Sequence, residues 1–308
     1  MFPILIILIH FSDSTIEFSF MLIYNHNCKV FRLWEVDIMN SVIPTDLMKF
    51  AYIPQAWFGM LDYLENLDIK ENWNFRVVDV NRKNRKNPIL ENYIFHTFRR
   101  LAFERNSIKD ENLRNLKIYI DDEKACFNTG LFTKNYKYIY AFLVKNQKED
   151  TNLKWVLKGF YDDSSPNLSD ISTLPVRAEY FSDISDLIYN TKLELRVNTS
   201  HILDNPNNKQ RIPENVRDLP NLPMLFDGAI QLAKKKIECN YKVAVPQYYQ
   251  DKIQFLIPIS LVDMEKVDLA LAVSKQNGYY TGSTCLTMDM AYNNARLIAR
   301  PDSEWLNP

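Results

Sequence analysis

Four polar residues near the C-terminus are spaced so that they would share one face of a helix. Asp289, Asn293, Arg296 and Arg300 follow one another at intervals of four, three and four residues, which matches the helical repeat. Arginine forms planar, bidentate hydrogen bonds with phosphate and carboxylate groups. This polar stripe therefore predicts that Asn293, Arg296 and Arg300 face a pocket and hold an anionic ligand.

The same order of charges also has a structural explanation. An acid near the N-terminus of a helix and cations near its C-terminus complement the helix dipole. Asp289, Asn293 and Arg296 could satisfy one another across successive turns. The sequence leaves both interpretations of the polar stripe open.

A second group of candidates lies in a proline- and asparagine-rich segment, residues 198–223, which contains His201 and Arg211. A long connection with little regular structure is often functional. Because the pKa of histidine lies near working pH, His201 is a candidate general acid or base, with a hydrogen-bonding surface histidine as the alternative. Arg211 would then stabilise charge on a phosphate and Asp289 would orient a partner. This mechanism requires His201 to lie close to Arg296.

A third candidate is a turn signal within the segment CFNTGLF, residues 126–132. Asn128, Thr129 and Gly130 are typical turn residues. The segment could simply connect two strands. Alternatively, its backbone N–H groups and the side chains of Asn128 and Thr129 contact the ligand.

Cations cluster between residues 81 and 105. Part of this cluster is the run NRKNRKNP, which is usually a solvated loop, and the rest lies on a predicted helix that would turn it outward. A basic face on a near-neutral protein is a candidate binding surface for a phosphate backbone. The cations are Arg82, Lys83, Arg85, Lys86, Arg99, Arg100 and Arg105.

Composition narrows the chemistry. The chain has 308 residues, a net charge of −1 and 46% hydrophobic residues, as expected for a globular protein with a sizeable core. With six glycines and no glycine-rich phosphate motif, common nucleotide-binding loops are excluded. The four histidines and four cysteines lack ligand spacing, which argues against zinc. We expect reduced cysteines and a cytoplasmic location, with no cofactor and no stable insertion into a membrane. The sequence does not exclude a magnesium ion bound by carboxylates.

Hydrophobic periodicity predicts the elements that must position these groups. We expect a single compact α+β domain over residues 39–308, with a mixed or mainly antiparallel sheet and packed helices. The dipeptide Asn277-Gly278 is the strongest hairpin signal. Helices are predicted near residues 54–67, 89–105, 223–238 and 287–300. Strands are predicted near residues 116–120, 136–144, 153–161, 193–197, 241–245, 253–259, 267–273 and 279–286.

Residues 1–38 differ from the rest of the chain. The apolar run at residues 2–11 lacks a basic flank and is too short to span a bilayer. Amphipathic patterning begins only after Met39. We therefore expect residues 1–38 to be an extension outside the domain, with Met39 as the true start.

Several segments between residues 51 and 308 resemble an uncharacterised bacterial family, domain of unknown function 3825. They are FNTGL at 127–131, the loop 201–211, YKVAVPQYY at 241–249, FLIP at 255–258, VDLALAV at 267–273 and MAYNNARLIARPDSEWL at 290–306. Members are often fused behind cold-shock or LOTUS-type RNA-binding domains. The resemblance implies an RNA-related role, although no such module precedes the domain in this sequence.

Three hypotheses follow. The first is an RNA- or nucleotide-binding module that recognises phosphate through an arginine- and asparagine-lined pocket. The second is a metal-independent enzyme that acts on a phosphodiester or nucleotide, with His201 moving protons. The third is a protein-interaction scaffold in which the same polar groups serve only the fold.

Overall fold

A computed structural model of the chain describes residues 42–74, 86–147 and 151–306, and the backbone of residues 7–11 and 18–22. The chain divides into two compact units, Met1–Ile43 and Pro44–Pro308. In the first unit, β1 (Ile7–Phe11) pairs antiparallel with β2 (Phe18–Leu22). The second unit, which we call the body, contains all the elements discussed below.

The N-terminal half of the body covers residues 44–193 and is built around one five-stranded sheet. Its helices are α1 (Leu47–Phe50), α2 (Trp57–Leu67), α3 (Pro88–Ser107) and α4 (Glu111–Asn115). Its strands are β3 (Ala51–Tyr52), β4 (Ile118–Ile120), β5 (Lys124–Phe132), β6 (Tyr138–Lys145) and β7 (Trp155–Asp162). Two short 3₁₀ helices follow at Pro166–Leu168 and Ile184–Leu187.

The C-terminal half covers residues 194–306 and is built around a second five-stranded sheet. Its helices are α5 (Thr199–Asp204), α6 (Pro206–Arg211), α7 (Glu214–Arg217), α8 (Leu222–Cys239) and α9 (Met288–Arg296). Its strands are β8 (Glu194–Val197), β9 (Val245–Tyr249), β10 (Lys252–Ile259), β11 (Leu269–Lys275) and β12 (Tyr279–Leu286). Short 3₁₀ helices lie at Tyr241–Val243 and Glu304–Leu306.

The two sheets have the same topology. Each contains four consecutive antiparallel strands, and the edge strand that precedes them in sequence pairs parallel with the last of the four, giving the orders β3-β7-β6-β5-β4 and β8-β12-β11-β10-β9. In each half the long helix packs against the second strand of the four: α3 against β5 and α8 against β10. Both last strands carry one extra residue, Lys158 in β7 and Ser283 in β12. The body is thus a structural duplication that the sequence does not reveal as a repeat.

These observations confirm the α+β class and show two mixed sheets, where one had been expected. Within the described residues, no helix is both long and apolar enough to cross a membrane. The predicted hairpin turn at Asn277-Gly278 joins β11 to β12, and Gly278 has the positive φ of 87° that such a turn requires.

Helix α3 follows its predicted pattern on the buried side. Tyr93, Ile94, Phe98 and Leu101 are all buried, because they recur at helical spacing. Arg105, which was predicted to point outward, is only 3% exposed. Its guanidinium donates hydrogen bonds to the Ile118 carbonyl oxygen at 3.2 Å and to Glu111 at 2.6 Å, so it joins α3 to α4 and β4.

Two segments differ from the sequence prediction. The turn expected at residues 128–130 lies inside β5, where the pairing with β6 is irregular between Asn128 and Phe132. The segment 198–223, expected to be irregular, contains α5, α6 and α7 and the beginning of α8. In the second segment the asparagine and proline residues act at helix ends. Asn198 and Asn205 cap helices, and Pro206 occupies a first helical turn.

Candidate functional site

The end of α9 places Arg296 at the junction of the two halves. The helix runs from Met288 to Arg296, four residues short of the predicted limit at Arg300. Ala291 and Ala295 are buried, and the helix packs against β9 and α3. The small side chains allow this close approach, so the last helical residue reaches the N-terminal half.

Arg296 is held in a buried ion pair. Its Nε donates a hydrogen bond to Glu71 Oε1 at 2.7 Å, and the Tyr292 hydroxyl donates to the same oxygen at 2.6 Å. The guanidinium carbon lies 5.0 Å from the centre of the Trp73 ring and 4.8 Å from that of Tyr93. Glu71 therefore neutralises Arg296, and two aromatic rings enclose it.

A cavity of ≈ 350 Å³ opens beside this ion pair, within the size range of small-molecule sites. The loop after α2, the helix α3, the strand β5 and the segment after β7 contribute its walls, together with residues 296–300. Arg300 and Arg177 line the cavity and are exposed. Arg300 donates one hydrogen bond, to the Lys70 carbonyl oxygen at 3.3 Å. Within the described chain, Arg177 has no hydrogen bond and neither arginine has a carboxylate partner.

Three buried oxygens without a partner line the same cavity. They are Asp68 Oδ2, Thr97 Oγ1 and Tyr180 Oη, none of which makes a well-formed hydrogen bond within the described chain, although the Thr97 hydroxyl interacts with those of Tyr180 and Tyr93. Asp68 and Thr97 are 3% and 2% exposed. A buried polar atom without a partner costs about 1–3 kcal/mol. A group of buried oxygens without partners is expected where a polar ligand supplies the missing hydrogen bonds.

Asp68 has the electrostatics of a functional group. Burial raises the pKa of its carboxyl to about 7, and the Glu71 carboxylate adds to this rise. The Arg296 guanidinium and the backbone N–H groups of Ile69 and Phe132 oppose it. Asp68 thus changes protonation near neutral pH, as groups in ligand sites often do.

The residues of the FNTGL segment have different roles. Asn128 Nδ2 donates to the Pro175 carbonyl oxygen at 3.2 Å, and Oδ1 accepts from the Gly130 N–H at 2.8 Å. Thr129 donates to the Ile139 carbonyl oxygen at 2.7 Å. Both side chains are buried and hold the irregular part of β5 in place. Only Gly130 of this group lines the cavity. Its φ is +75°, and a Cβ there would lie 2.8 Å from the Tyr93 hydroxyl oxygen.

The other predicted residues of the candidate catalytic and binding sets do not line the cavity. His201 is exposed on α5 and its backbone N–H bonds to Asn198. Arg211 donates to the Cys285 carbonyl oxygen at 2.6 Å, joining α6 to β12. Asp289 accepts a hydrogen bond from Thr287. Asn293 has a buried Oδ1 without a partner in the described chain, but it does not contribute to the cavity wall.

The predicted basic face is only partly described. Arg82, Lys83 and Arg85 lie outside the described residues, and Lys86 is exposed, 3.9 Å from Asp62. Arg99 is exposed on α3. Arg100 is tied to the fold, because its guanidinium donates to Glu104 at 2.8 Å and to the Tyr248 hydroxyl at 2.7 Å.

Sequence reasoning missed Asp68, Glu71, Arg177 and Tyr180. They form two pairs, each three residues apart, that lie more than 100 residues from each other and from Arg296, and 38 acids give too many candidates for a buried carboxyl. Among the described residues, no group of three or more His, Cys, Asp or Glu side chains is arranged to hold a metal ion. Cys126, Cys239 and Cys285 are free thiols.

Comparison with known proteins agrees with the resemblance noted from the sequence motifs. No curated protein and no solved structure matches the chain. One family model matches residues 64–305, which span every wall of the cavity. The chain therefore belongs to the family described as a domain of unknown function (DUF3825).

Proposed function

We propose that the cavity binds a phosphate-bearing nucleotide, either free or as part of an RNA strand. The observation that carries this proposal is the pair of exposed guanidinium groups, Arg177 and Arg300, that line the cavity without a carboxylate partner in the described chain. Guanidinium groups form strong, charge-assisted hydrogen bonds with phosphate oxygens. They are therefore the groups expected to take the phosphate.

The charge balance of the cavity favours an anion. Arg177, Arg296 and Arg300 face two carboxyl groups, Glu71 and Asp68. Glu71 neutralises Arg296, and Asp68 is partly protonated near neutral pH. The cavity consequently carries a net positive charge, concentrated on Arg177 and Arg300.

Arg296 has a supporting role in this proposal. Its guanidinium is fixed by Glu71 and by the rings of Trp73 and Tyr93. This arrangement holds the end of α9 in place, and Arg300 follows four residues later. Arg296 thus positions the cavity wall, and Arg300 is the member of the polar stripe that is available to a ligand.

Binding of AMP, inorganic phosphate and a short single-stranded RNA across a salt series tests the proposal. We expect affinity to fall as salt rises. Arg300→Ala and Arg177→Ala should each weaken binding about tenfold, since each removes a charge-assisted contact. Lys235→Ala is a control, because it removes an exposed cation of α8 that does not line the cavity. Failure of all three probes to bind at low salt, or equal binding by all variants, would contradict the proposal.

The same titrations distinguish a free nucleotide from RNA. Binding of AMP and RNA with mutual competition assigns both to the cavity. If RNA alone binds and Arg99→Ala weakens it while Arg300→Ala does not, the basic face on α3 is the RNA surface and the cavity proposal fails.

Incubation of the same probes also tests the enzymatic alternative. A proton-transfer group would have to lie in the cavity, where Asp68 is found and His201 is not. We expect any turnover to be lost in Asp68→Asn and retained in His201→Ala. The reverse result would restore His201 as the acid or base.

A further inference from the structure

We infer that the cavity selects a guanine nucleotide, with Asp68 accepting a hydrogen bond from the Watson–Crick edge of the base. This inference rests on the proposed function and adds the identity of the base to it. The buried floor of the cavity offers one open carboxylate oxygen and two open hydroxyl groups. A nucleobase edge presents polar atoms in one plane, so one ligand group could satisfy several of them.

The position of Asp68 identifies the polarity of the missing partner. An ionised carboxylate only accepts hydrogen bonds, and its Oδ2 has no donor among the described residues. The nearby Arg296 guanidinium donates to Glu71 and makes no hydrogen bond to Asp68 Oδ2. The ligand must therefore supply an N–H or O–H group. On its Watson–Crick edge guanine supplies two adjacent donors, N1–H and N2–H₂. Adenine supplies one donor, N6–H₂, beside the acceptor N1, whose lone pair would face an ionised carboxylate.

The remaining walls suit a flat, polar ring. Phe132, Tyr136 and Tyr180 line the cavity, and base–aromatic stacking contributes about 1–3 kcal/mol per base. Tyr136 is 77% exposed and has a positive φ of 58°, an uncommon conformation for a large side chain. With the base against the floor, the phosphate would lie towards Arg177 and Arg300.

The charge state of Asp68 makes selectivity depend on pH. The titratable groups that face it are Glu71 from the loop after α2, Tyr93 from α3 and Arg296 from α9. Burial, the largest influence, raises the pKa of Asp68 to about 7. Guanine binding needs the ionised carboxyl, whereas adenine could accept a hydrogen bond from the protonated form. The ratio of GMP to AMP affinity should thus rise with pH.

Titration of GMP, IMP, AMP and CMP at about pH 6 and about pH 8 tests this inference. The ionised fraction of a group with pKa about 7 rises about tenfold over this range and the protonated fraction falls about tenfold. The GMP to AMP affinity ratio should therefore rise about tenfold if only GMP responds to the charge of Asp68, and about a hundredfold if AMP binds the protonated form. Using the ratio cancels ionisation of the phosphate itself, whose second pKa is about 6. IMP, which keeps N1–H and lacks the 2-amino group, should follow GMP in its pH dependence.

Two variants and a control complete the test. Asp68→Asn should abolish the pH dependence of the ratio, and Tyr180→Phe should weaken GMP several-fold by removing one open hydroxyl. Tyr63→Phe removes an exposed hydroxyl on α2, outside the cavity, and should change nothing. Circular dichroism verifies folding of each variant.

The outcomes separate this inference from the proposed function. Equal affinity for all four nucleotides, with loss of binding in Arg300→Ala, would overturn base selection and leave phosphate recognition standing. A pH-independent ratio in the wild-type protein would also overturn the role of Asp68. Absence of binding by every nucleotide and by RNA would overturn both.

Discussion

The two halves of the body share a topology but bury different kinds of side chain. In α8 and β10 the buried residues are apolar, and those of α8 form one continuous core with one face of β10, with β11 and with the helices that precede α8. In contrast, α3 buries Thr97, Glu104 and Arg105, and β5 buries Asn128 and Thr129. Of the twelve polar or charged side chains buried in the described part of the chain, nine belong to the N-terminal half.

This difference shows how a duplicated architecture can divide its tasks. Burying polar groups costs free energy unless partners satisfy them. The described part of the C-terminal half buries only three such side chains, Asn208, Gln247 and Ser303, and acts as a mainly apolar support that carries α9. The N-terminal half carries most of the free-energy cost of buried polar groups. Two of these groups, Asp68 and Thr97, have an oxygen without a well-formed hydrogen bond in the described chain, and both line the cavity. Topology alone therefore does not locate the site, whereas a cavity that gathers three unsatisfied oxygens does.

The largest effects should come from the two cores. Phe98 in α3 and Phe226 in α8 are both 0% exposed, so Phe98→Ala and Phe226→Ala should each cost about 3–5 kcal/mol of unfolding free energy. We expect a single urea transition in both variants, because α9 packs on α3 and Arg100 bonds to Tyr248 across the halves. Far-UV circular dichroism and tryptophan fluorescence should coincide. Separate transitions would show that the halves unfold independently.

Next comes the ion pair that joins the halves. Glu71→Ala leaves the Arg296 guanidinium buried without its carboxylate and should cost about 3 kcal/mol. A matched control is Glu194→Ala, which removes the partner of Arg196 in the C-terminal half. The side chains of that pair are 57% and 63% exposed, so the loss should stay below about 1 kcal/mol. Equal losses of unfolding free energy in the two variants would contradict the expectation that the buried ion pair contributes more to stability than the exposed one.

A smaller effect should appear as a pH dependence of the unfolding free energy that originates in the N-terminal half, at Asp68. The pKa of Asp68 is raised from 3.8 to about 7 in the folded state, so the unfolded chain binds fewer protons between these values. Stability from this group is full below about pH 4 and is lost as pH rises through about 7.

Asp68→Asn should remove this decline, worth about 2–3 kcal/mol between about pH 5 and pH 8. Urea denaturation across that range measures it. Asp122→Asn, at an exposed acid, should retain the wild-type decline. If the Asp68→Asn variant keeps the pH profile of the wild type, Asp68 is not the group responsible for the decline.

The smallest effect is expected at the cavity rim. Arg300 is exposed and donates one long hydrogen bond, so Arg300→Ala should change the free energy of unfolding by less than about 0.5 kcal/mol. The melting temperature should stay close to that of the wild type while ligand affinity falls. A strong loss of stability would instead favour the scaffold interpretation, in which this arginine serves the fold.

Local patterns in the sequence were sufficient for much of the secondary structure. The buried face of α3, the helix α8 and the hairpin at Asn277-Gly278 follow from side-chain periodicity and turn chemistry. The polar stripe on α9 was visible for the same reason, and two of its arginines do line the cavity. The prediction of a turn at Asn128 was wrong. Pairing with β6 keeps this segment within β5, although the register is irregular between Asn128 and Phe132.

Only tertiary structure decided what the stripe does. Arg296 and Arg300 are chemically alike and four residues apart, yet Glu71 neutralises one while the other is exposed, since the helix ends between them against the N-terminal half. The partners of a buried charge come from distant parts of the chain, and no local spacing encodes them. The raised pKa of Asp68 depends on its burial in the folded protein, with Glu71 adding to the rise and Arg296 opposing it, so it exists only in the tertiary structure.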